Sequence, residues 1–461
     1  MMVGFLIVHN CYKGSEKSDI RQLCYLYLLI FFSANVNHTA MLLLRNGTYI
    51  DWETLEFKQA DILVEEGPDG TATFTAGQEV PPDHKRVIDC TSKFITKSFV
   101  NGHHHVYSAL ARGMPAPEKN PQNFQEILQY VWWPLDKALD LQMIRSSALV
   151  TAIACLKNGV TFVIDHHTSP FAIDGSLETI AQAFDEAGVG HLLCYEITDR
   201  DGAEIARKGL AETAGYLSKR PGLVGLHASF TVGNETLKQA VQLAAHSNSG
   251  IHIHVAEDKV DEEHCVKHYH KRVIERLSDH GVLQFPKTIL AHCIHLDEHE
   301  RGLVEGSPAW VVQNMESNLN NSVGLFNSQG IGKRTMYGTD GMYSDMLQSA
   351  RSAFFAGHLN DPIGYGESYR RFRNGNQYLR SNGFKGDGGN NLVVLDYYTP
   401  TPLTADNFFG HFLFGIESRQ ISHVISQGRL IVEDGNVLSI DEKKIHEESQ
   451  RQAIRLWRKL Q

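Results

Sequence analysis

The sequence predicts an α/β protein: a (β/α)8 TIM-type barrel with a small β-sandwich-like lobe built from both chain ends. Three observations carry that expectation. From residue 94 onward, eight apolar runs of strand length alternate with helical stretches, and eight is the number that closes a β/α barrel. Short strand-and-turn patterns flank this region on both sides, which most simply places the two ends in one lobe. At 461 residues the chain exceeds one ordinary core and has room for both parts.

Residues 1–40 differ from everything after them. Leu23 to Phe32 is an apolar run of signal-peptide length, too short to span a bilayer, with Lys13, Lys17 and Arg21 upstream. No small-x-small cleavage site follows, and Met41-Leu-Leu-Leu-Arg-Asn-Gly is a natural first strand, so 1–40 is expected to be an atypical extension outside the fold. Residues 41–93, with turns at Asn46-Gly47 and Pro68-Asp-Gly70, form the N-terminal part of the lobe. The barrel is assigned to 94–373 and opens with Phe94 to Val100 as its first strand. Helical stretches at about 126–158, 176–187, 203–218, 237–247 and 262–278 separate further strands that begin at Val160, His191, Leu223, Ile251, Thr288, Trp310 and Thr335. Residues 374–391, rich in Gly and Asn, are expected to be a loop. Strands return over 392–440, and 441–461 is patterned as a terminal amphipathic helix.

Hydrophobic content of 42% and charged content of 21% suit a soluble globular protein. The formal charge of −10 comes without a basic cluster, which argues against a nucleic-acid partner and leaves small molecules. No membrane association is expected, and a homodimer is. Seven cysteines are scattered singly with no Cys-x-x-Cys pair, pointing to reduced, inert thiols in a cytoplasmic protein and away from a cysteine-ligated metal.

Histidine is frequent, with 24 in the chain, so about one His-x-His pair would arise by chance. His103/His105, His252/His254 and His268/His270 therefore say little singly. Their order and context say more: strand-like runs end in His103-His-His105, in His254-x-x-Glu257, in Ala291-His292 and in Gly338-Thr-Asp340-Gly341. Imidazoles and a carboxylate at rigid strand ends are what a divalent transition metal needs. Alternation of faces lets His103 and His105 point the same way while His104 points away. His254 is the candidate ligand of its pair, with His252 deeper inside. Glu257 can approach the same centre only if the strand ends near Val255 and the chain turns over the mouth. Plainer readings stand beside each of these: a polar strand end, a solvated helix-start carboxylate, a turn aspartate at Asp340, a satisfied core histidine at His292. His166, ending the second strand, and Glu196, ending the third, lie in the right layer to line a pocket.

The segments Asn101-Gly-His-His-His, Leu226-His-Ala-Ser-Phe-Thr, His254-Val-Ala-Glu257, Ala291-His-Cys-Ile-His-Leu, Asn314-x-x-Ser-Asn318 and Gly338-Thr-Asp-Gly resemble the amidohydrolase superfamily. Within it they are closest to the chlorohydrolase and aminohydrolase branch, and most similar to SsnA-type aminohydrolases, from about Met41 to the C-terminus. The resemblance implies one divalent metal, zinc or else iron, held by His103, His105, His254 and Asp340. It also implies that Glu257 and His292 handle protons with Asp340, that His227 touches a small heterocyclic substrate, and that Arg112, Trp132 and Trp133 belong to a substrate lid. Helix-to-barrel packing is the plainer role for the two tryptophans. One departure is Gln313-Asn-Met-Glu-Ser-Asn, where relatives often have His-Asn-Pro-x-Ser-Asn. The expected chemistry is attack of a metal-activated water on a purine-, pterin- or triazine-like ring with loss of an exocyclic amine. The rivals are a cyclic amidase, which usually needs a carboxylated lysine where this chain has His227, and a non-catalytic barrel, which would lack one of the ligands.

Overall fold

The computed structural model describes residues 41–75 and 84–461; the expectation for 1–40 lies outside the described residues. Strands β1 (Met41–Ile50), β2 (Phe57–Glu65), β3 (Ala72–Thr75), β4 (His84–Asp89) and β5 (Phe94–Lys97) build the first part of the lobe. Then come eight strands of the barrel: β6 (Phe99–His104), β7 (Val160–His167), β8 (Gly190–Ile197), β9 (Val224–Ala228), β10 (Ile251–Val255), β11 (Ile289–His292), β12 (Trp310–Gln313) and β13 (Thr335–Tyr337). They run parallel and in sequence order from β6 to β13. Finally β14 (Leu392–Leu395), β15 (Ile421–Ser426), β16 (Arg429–Glu433) and β17 (Asn436–Val437) return to the lobe. There β14 pairs antiparallel with β5, so both chain ends share one nine-stranded sheet.

The barrel closes at its mouth. The amides of Thr339 and Asp340 both donate to the His103 carbonyl, at 3.1 and 3.0 Å. This close approach needs glycine on both sides of the seam: a Cβ on Gly102 would stand 2.7 Å from the Tyr337 carbonyl oxygen, and one on Gly338 would stand 2.5 Å from Asn314 Oδ1. Beneath the mouth the interior is filled by Val100, Phe162, Leu192, Ile289, Trp310 and Met336, with Tyr378 and Leu379 packed against them. Burial of such side chains, at about 1.5–3 kcal/mol each, anchors the strands whose far ends carry the polar residues.

Two expected boundaries move. The run Phe94 to Val100 is not one barrel strand; it breaks at Ser98, whose amide donates to the Asn391 carbonyl, leaving β5 in the lobe and β6 in the barrel. The stretch 374–391 is not all loop, because the helix Tyr365–Ser381 runs into it. Asn374 donates inward to the carbonyls of Lys333 and Thr335, and Gly375 lets the helix approach Val100. The helix expected over 126–158 is two, bent by 108° between Ala138 and Leu141. That expected over 262–278 is Lys259–Tyr269 followed by Val273–Asp279. The terminal helix is Glu442–Lys459, capped by the Asp441 side chain. Among the described residues, no single helix is long and apolar enough to cross a membrane.

Candidate metal centre and substrate pocket

Three strand ends, those of β6, β10 and β13, deliver the four candidate ligands to one point. His105 Nε2 lies 3.1 Å from His254 Nε2 and 3.1 Å from Asp340 Oδ1. His103 Nε2 lies 3.7 Å from that same oxygen. Ligand atoms around a tetrahedral ion with bonds near 2.05 Å stand roughly 3.3–3.4 Å apart, so these spacings suit one ion. The ring orientations suit it too. His105 Nδ1 donates to the His166 carbonyl at 2.7 Å, and His254 Nδ1 donates to the His227 carbonyl at 2.9 Å. His103 turns Nδ1 to His252 Nε2 at 2.9 Å and leaves a buried Nε2 with no partner. Each ring therefore spends Nδ1 on its support and aims Nε2 inward.

Backbone geometry at the mouth explains how short strands place these groups. Ala256, His292 and Asp340 sit at φ 44, 73 and 54°, in the left-handed region that non-glycine residues rarely adopt. The strand β10 ends at Val255, Ala256 turns, and Glu257 swings over the mouth, where its carboxylate stands 3.6 Å from His292 Nε2. Asp261 pins that turn by accepting from the amides of Ala256 and Phe230, each at 2.9 Å. Asn318 Nδ2 donates to His292 Nδ1 at 2.8 Å, so His292 presents Nε2–H toward Glu257 and Asp340, the opposite orientation to the three candidate ligand rings.

The charges are polarised. Burial, together with the neighbouring His105 and His252, holds His103 well below the ordinary imidazole range, and burial does the same for His254 with His166 and His105 adding to it. Burial also works against a proton on His105, yet Asp340 overcomes it and raises His105 to about 9. Asp340 is itself pulled down, against its burial, by His105 and His292. Burial and the Asp340 charge push Glu257 well up. Without an ion, one proton on His105 supplies the positive charge that this centre calls for.

Beside the centre is a cavity of about 410 Å³ lined by Arg112, Trp132, Trp133, Glu196, His227 and Phe230, among others. Five expected pocket residues are therefore brought together. His166 is not: it is fully buried behind the pocket, its Nε2 donating to the Leu226 and His252 carbonyls and its Nδ1 3.4 Å from Glu196. It supports His105 and Glu196 from beneath rather than facing the cavity. The sequence also gave no sign of Asp136, a buried carboxylate in the cavity wall that pairs with Arg200 while its Oδ1 has no partner. Burial pushes Asp136 up to about 8, against the pull of Arg200. The Arg200 guanidinium lies over the Trp133 ring at 5.2 Å.

An eight-stranded parallel barrel with its polar residues gathered at the C-terminal mouth is a fold whose active sites lie at that mouth. The chain belongs to the amidohydrolase family, which it matches over residues 94–369. It is similar to a 5-methylthioadenosine/S-adenosylhomocysteine deaminase from Pelotomaculum thermopropionicum, 27% identical over 439 residues that cover 86% of this chain and 97% of that protein. Its fold is shared with an adenosine deaminase from Xanthomonas campestris with bound zinc, at a TM-score of 0.77 and 18% identity over 90% of this chain and 98% of that one. It is shared also with an atrazine chlorohydrolase from Arthrobacter aurescens complexed with zinc, at a TM-score of 0.74 and 17% identity over 89% and 100%.

Proposed function

We propose that this protein is a metal-dependent aminohydrolase that removes an exocyclic amine from a purine-, pterin- or triazine-like heterocycle and releases ammonia. The observation that carries the reading is the convergence of three imidazole Nε2 atoms and the Asp340 carboxylate at one point, with the Glu257 carboxyl beside them 3.6 Å from His292 Nε2. A divalent ion there, zinc or else iron, would supply a water of pKa about 7. His103, His105, His254 and Asp340 are the residues that would hold it. Asp340, held below the ordinary carboxylate range, is placed to accept a proton from water; Glu257, whose carboxyl is pushed up by burial and the Asp340 charge, is placed to carry a proton to a ring nitrogen and onward to the leaving amine. His292 directs Nε2–H at the oxygen that develops charge. Trp132, Trp133 and Phe230 offer flat walls to a ring, with His227, Glu196 and Arg112 as polar contacts. The relative that carries a deaminase name for adenosine derivatives supports an aminated purine as the ring. The cyclic-amidase alternative has no observation in its favour, since β9 ends in His227 rather than lysine.

A cytoplasmic location and a homodimer complete the proposal; the five described cysteines are buried and free, as reduced thiols would be. The test is metal analysis of the purified protein together with ammonia release over a panel of aminated purines, pterins and triazines. About one equivalent of zinc or iron per chain and release from at least one class are expected. Two tightly bound ions, or no release from any class, would overturn the reading.

A further inference from the structure

His103 differs from its two companions in how its ring is held. His105 and His254 each give Nδ1–H directly to a backbone carbonyl, an atom that can only accept. His103 instead meets a second histidine, and a neutral histidine can present either a donor or an acceptor. The direction is fixed further along. His252 Nδ1 lies 3.6 Å from Cys194 Sγ, and Cys194 Sγ lies 3.4 Å from the Asp165 carbonyl oxygen. That carbonyl accepts, so the Cys194 S–H donates to it. The sulfur is then left to accept from His252 Nδ1–H, His252 Nε2 is left bare, and His103 must donate through Nδ1. His103, Cys194 and His252 all have 0% exposure, so no bulk water competes for any link.

We propose that His252 and Cys194 are positioning residues that fix His103 in the tautomer whose Nε2 is free for a metal ion, acting through the relay His103 to His252 to Cys194 to the Asp165 carbonyl. The inference rests on reading His103 as a ligand. It also gives a use to the inner histidine of the His252-x-His254 pair and to a thiol that sequence alone reads as inert filling. Without the sulfur, His252 has no acceptor for Nδ1–H and its other tautomer becomes competitive. That tautomer points Nε2–H at His103 Nδ1 and drives the His103 proton to the nitrogen that should be bare.

The test is zinc affinity, measured by competition with a chromogenic chelator on Cys194→Ala, Cys194→Ser and His252→Leu, alongside the thermal midpoint of each metal-free protein. Cys194→Ala and His252→Leu are expected to weaken zinc by about 10–100-fold, the usual effect of removing a support behind a ligand. Cys194→Ser, whose hydroxyl can still accept and donate, should stay near wild type. Metal-free midpoints should not follow this order. If His252→Leu does not fold, the Cys194 pair decides the matter. Equal zinc affinity in the alanine and serine variants, with wild-type protein holding zinc, overturns the relay alone. Wild-type protein that holds no zinc overturns the centre itself, and the relay with it.

Discussion

Zinc binding at pH 7 should expel close to one proton from His105. In the metal-free protein Asp340 raises His105 to about 9, so at pH 7 this ring is about 99% protonated, against about one quarter for a free histidine of pKa 6.5. His103 and His254 are held far below 6.5, so they enter the complex already neutral and add no proton. A zinc ligand must be unprotonated. Affinity should therefore fall about tenfold for each pH unit below 9, so the His105 proton weakens binding by roughly two such steps at pH 7. The stability of the metal-free protein has the opposite sign: a base raised in the folded state contributes fully below pH 6.5 and loses that contribution as pH rises through 9, about 3 kcal/mol in all. Calorimetry in buffers of different ionisation enthalpy counts the protons. Between pH 5.5 and 7, below the range where a zinc-bound water ionises, release should stay flat near one per zinc. Glu257→Gln removes any share that the buried Glu257 proton adds. Release that declines from about 0.9 to about 0.2 over this window would mean an ordinary histidine, and the argument from Asp340 would fail.

Glu257→Gln should lower turnover by roughly 10²–10⁴, the range of a general acid/base, with zinc content and thermal midpoint nearly unchanged; loss of metal instead would make Glu257 a ligand. Asp261→Ala leaves two backbone amides without their acceptor, at about 1–3 kcal/mol each, and frees the turn that aims Glu257. Both the denaturant midpoint and kcat should fall, and an unchanged kcat would show that Ala256 holds its conformation unaided. Gly338→Ala drives a Cβ to 2.9 Å from the His103 Cβ as well as onto Asn314, so about 1–3 kcal/mol of stability should be lost in a urea melt; no loss would show that the seam yields.

The barrel was legible because parallel strands buried on both faces leave near-continuous apolar runs, and two of the three shortest, β11 and β13, were marked by the histidine and aspartate at their ends. What stayed hidden depends on distant partners. Nothing local divides Phe94 to Val100; the division comes from Ser98 meeting Asn391. Nothing local makes Asn374 helical; its amide is satisfied by carbonyls across the barrel seam. In the site, the six strand-end residues His103, His105, His254, Glu257, His292 and Asp340 could be read as an ordered set, and the turn required at Val255 is present. His166 could not, since its place at the end of β7 gives the layer and not the direction, and adjacent strand residues face opposite ways. The pairing of Asp136, in the short helix Trp133–Ala138, with Arg200, in the turn after β8, joins residues 64 apart and leaves no local mark on Asp136.

The seam between β6 and β13 also makes the site a late product of synthesis. His103 and His105 leave the ribosome early, while Asp340 arrives with the last barrel strand; across the same seam Asn101 bonds to Thr339, 238 residues further on. A nascent chain can hold three imidazoles long before it holds the carboxylate that charges one of them, so the complete coordination set exists only after ring closure. Closing so long a loop is slow, and an ion that binds only the closed form would favour it by mass action. Metal supply during translation should then govern how much chain reaches the closed barrel, and expression in zinc-poor medium should lower soluble yield as well as occupancy.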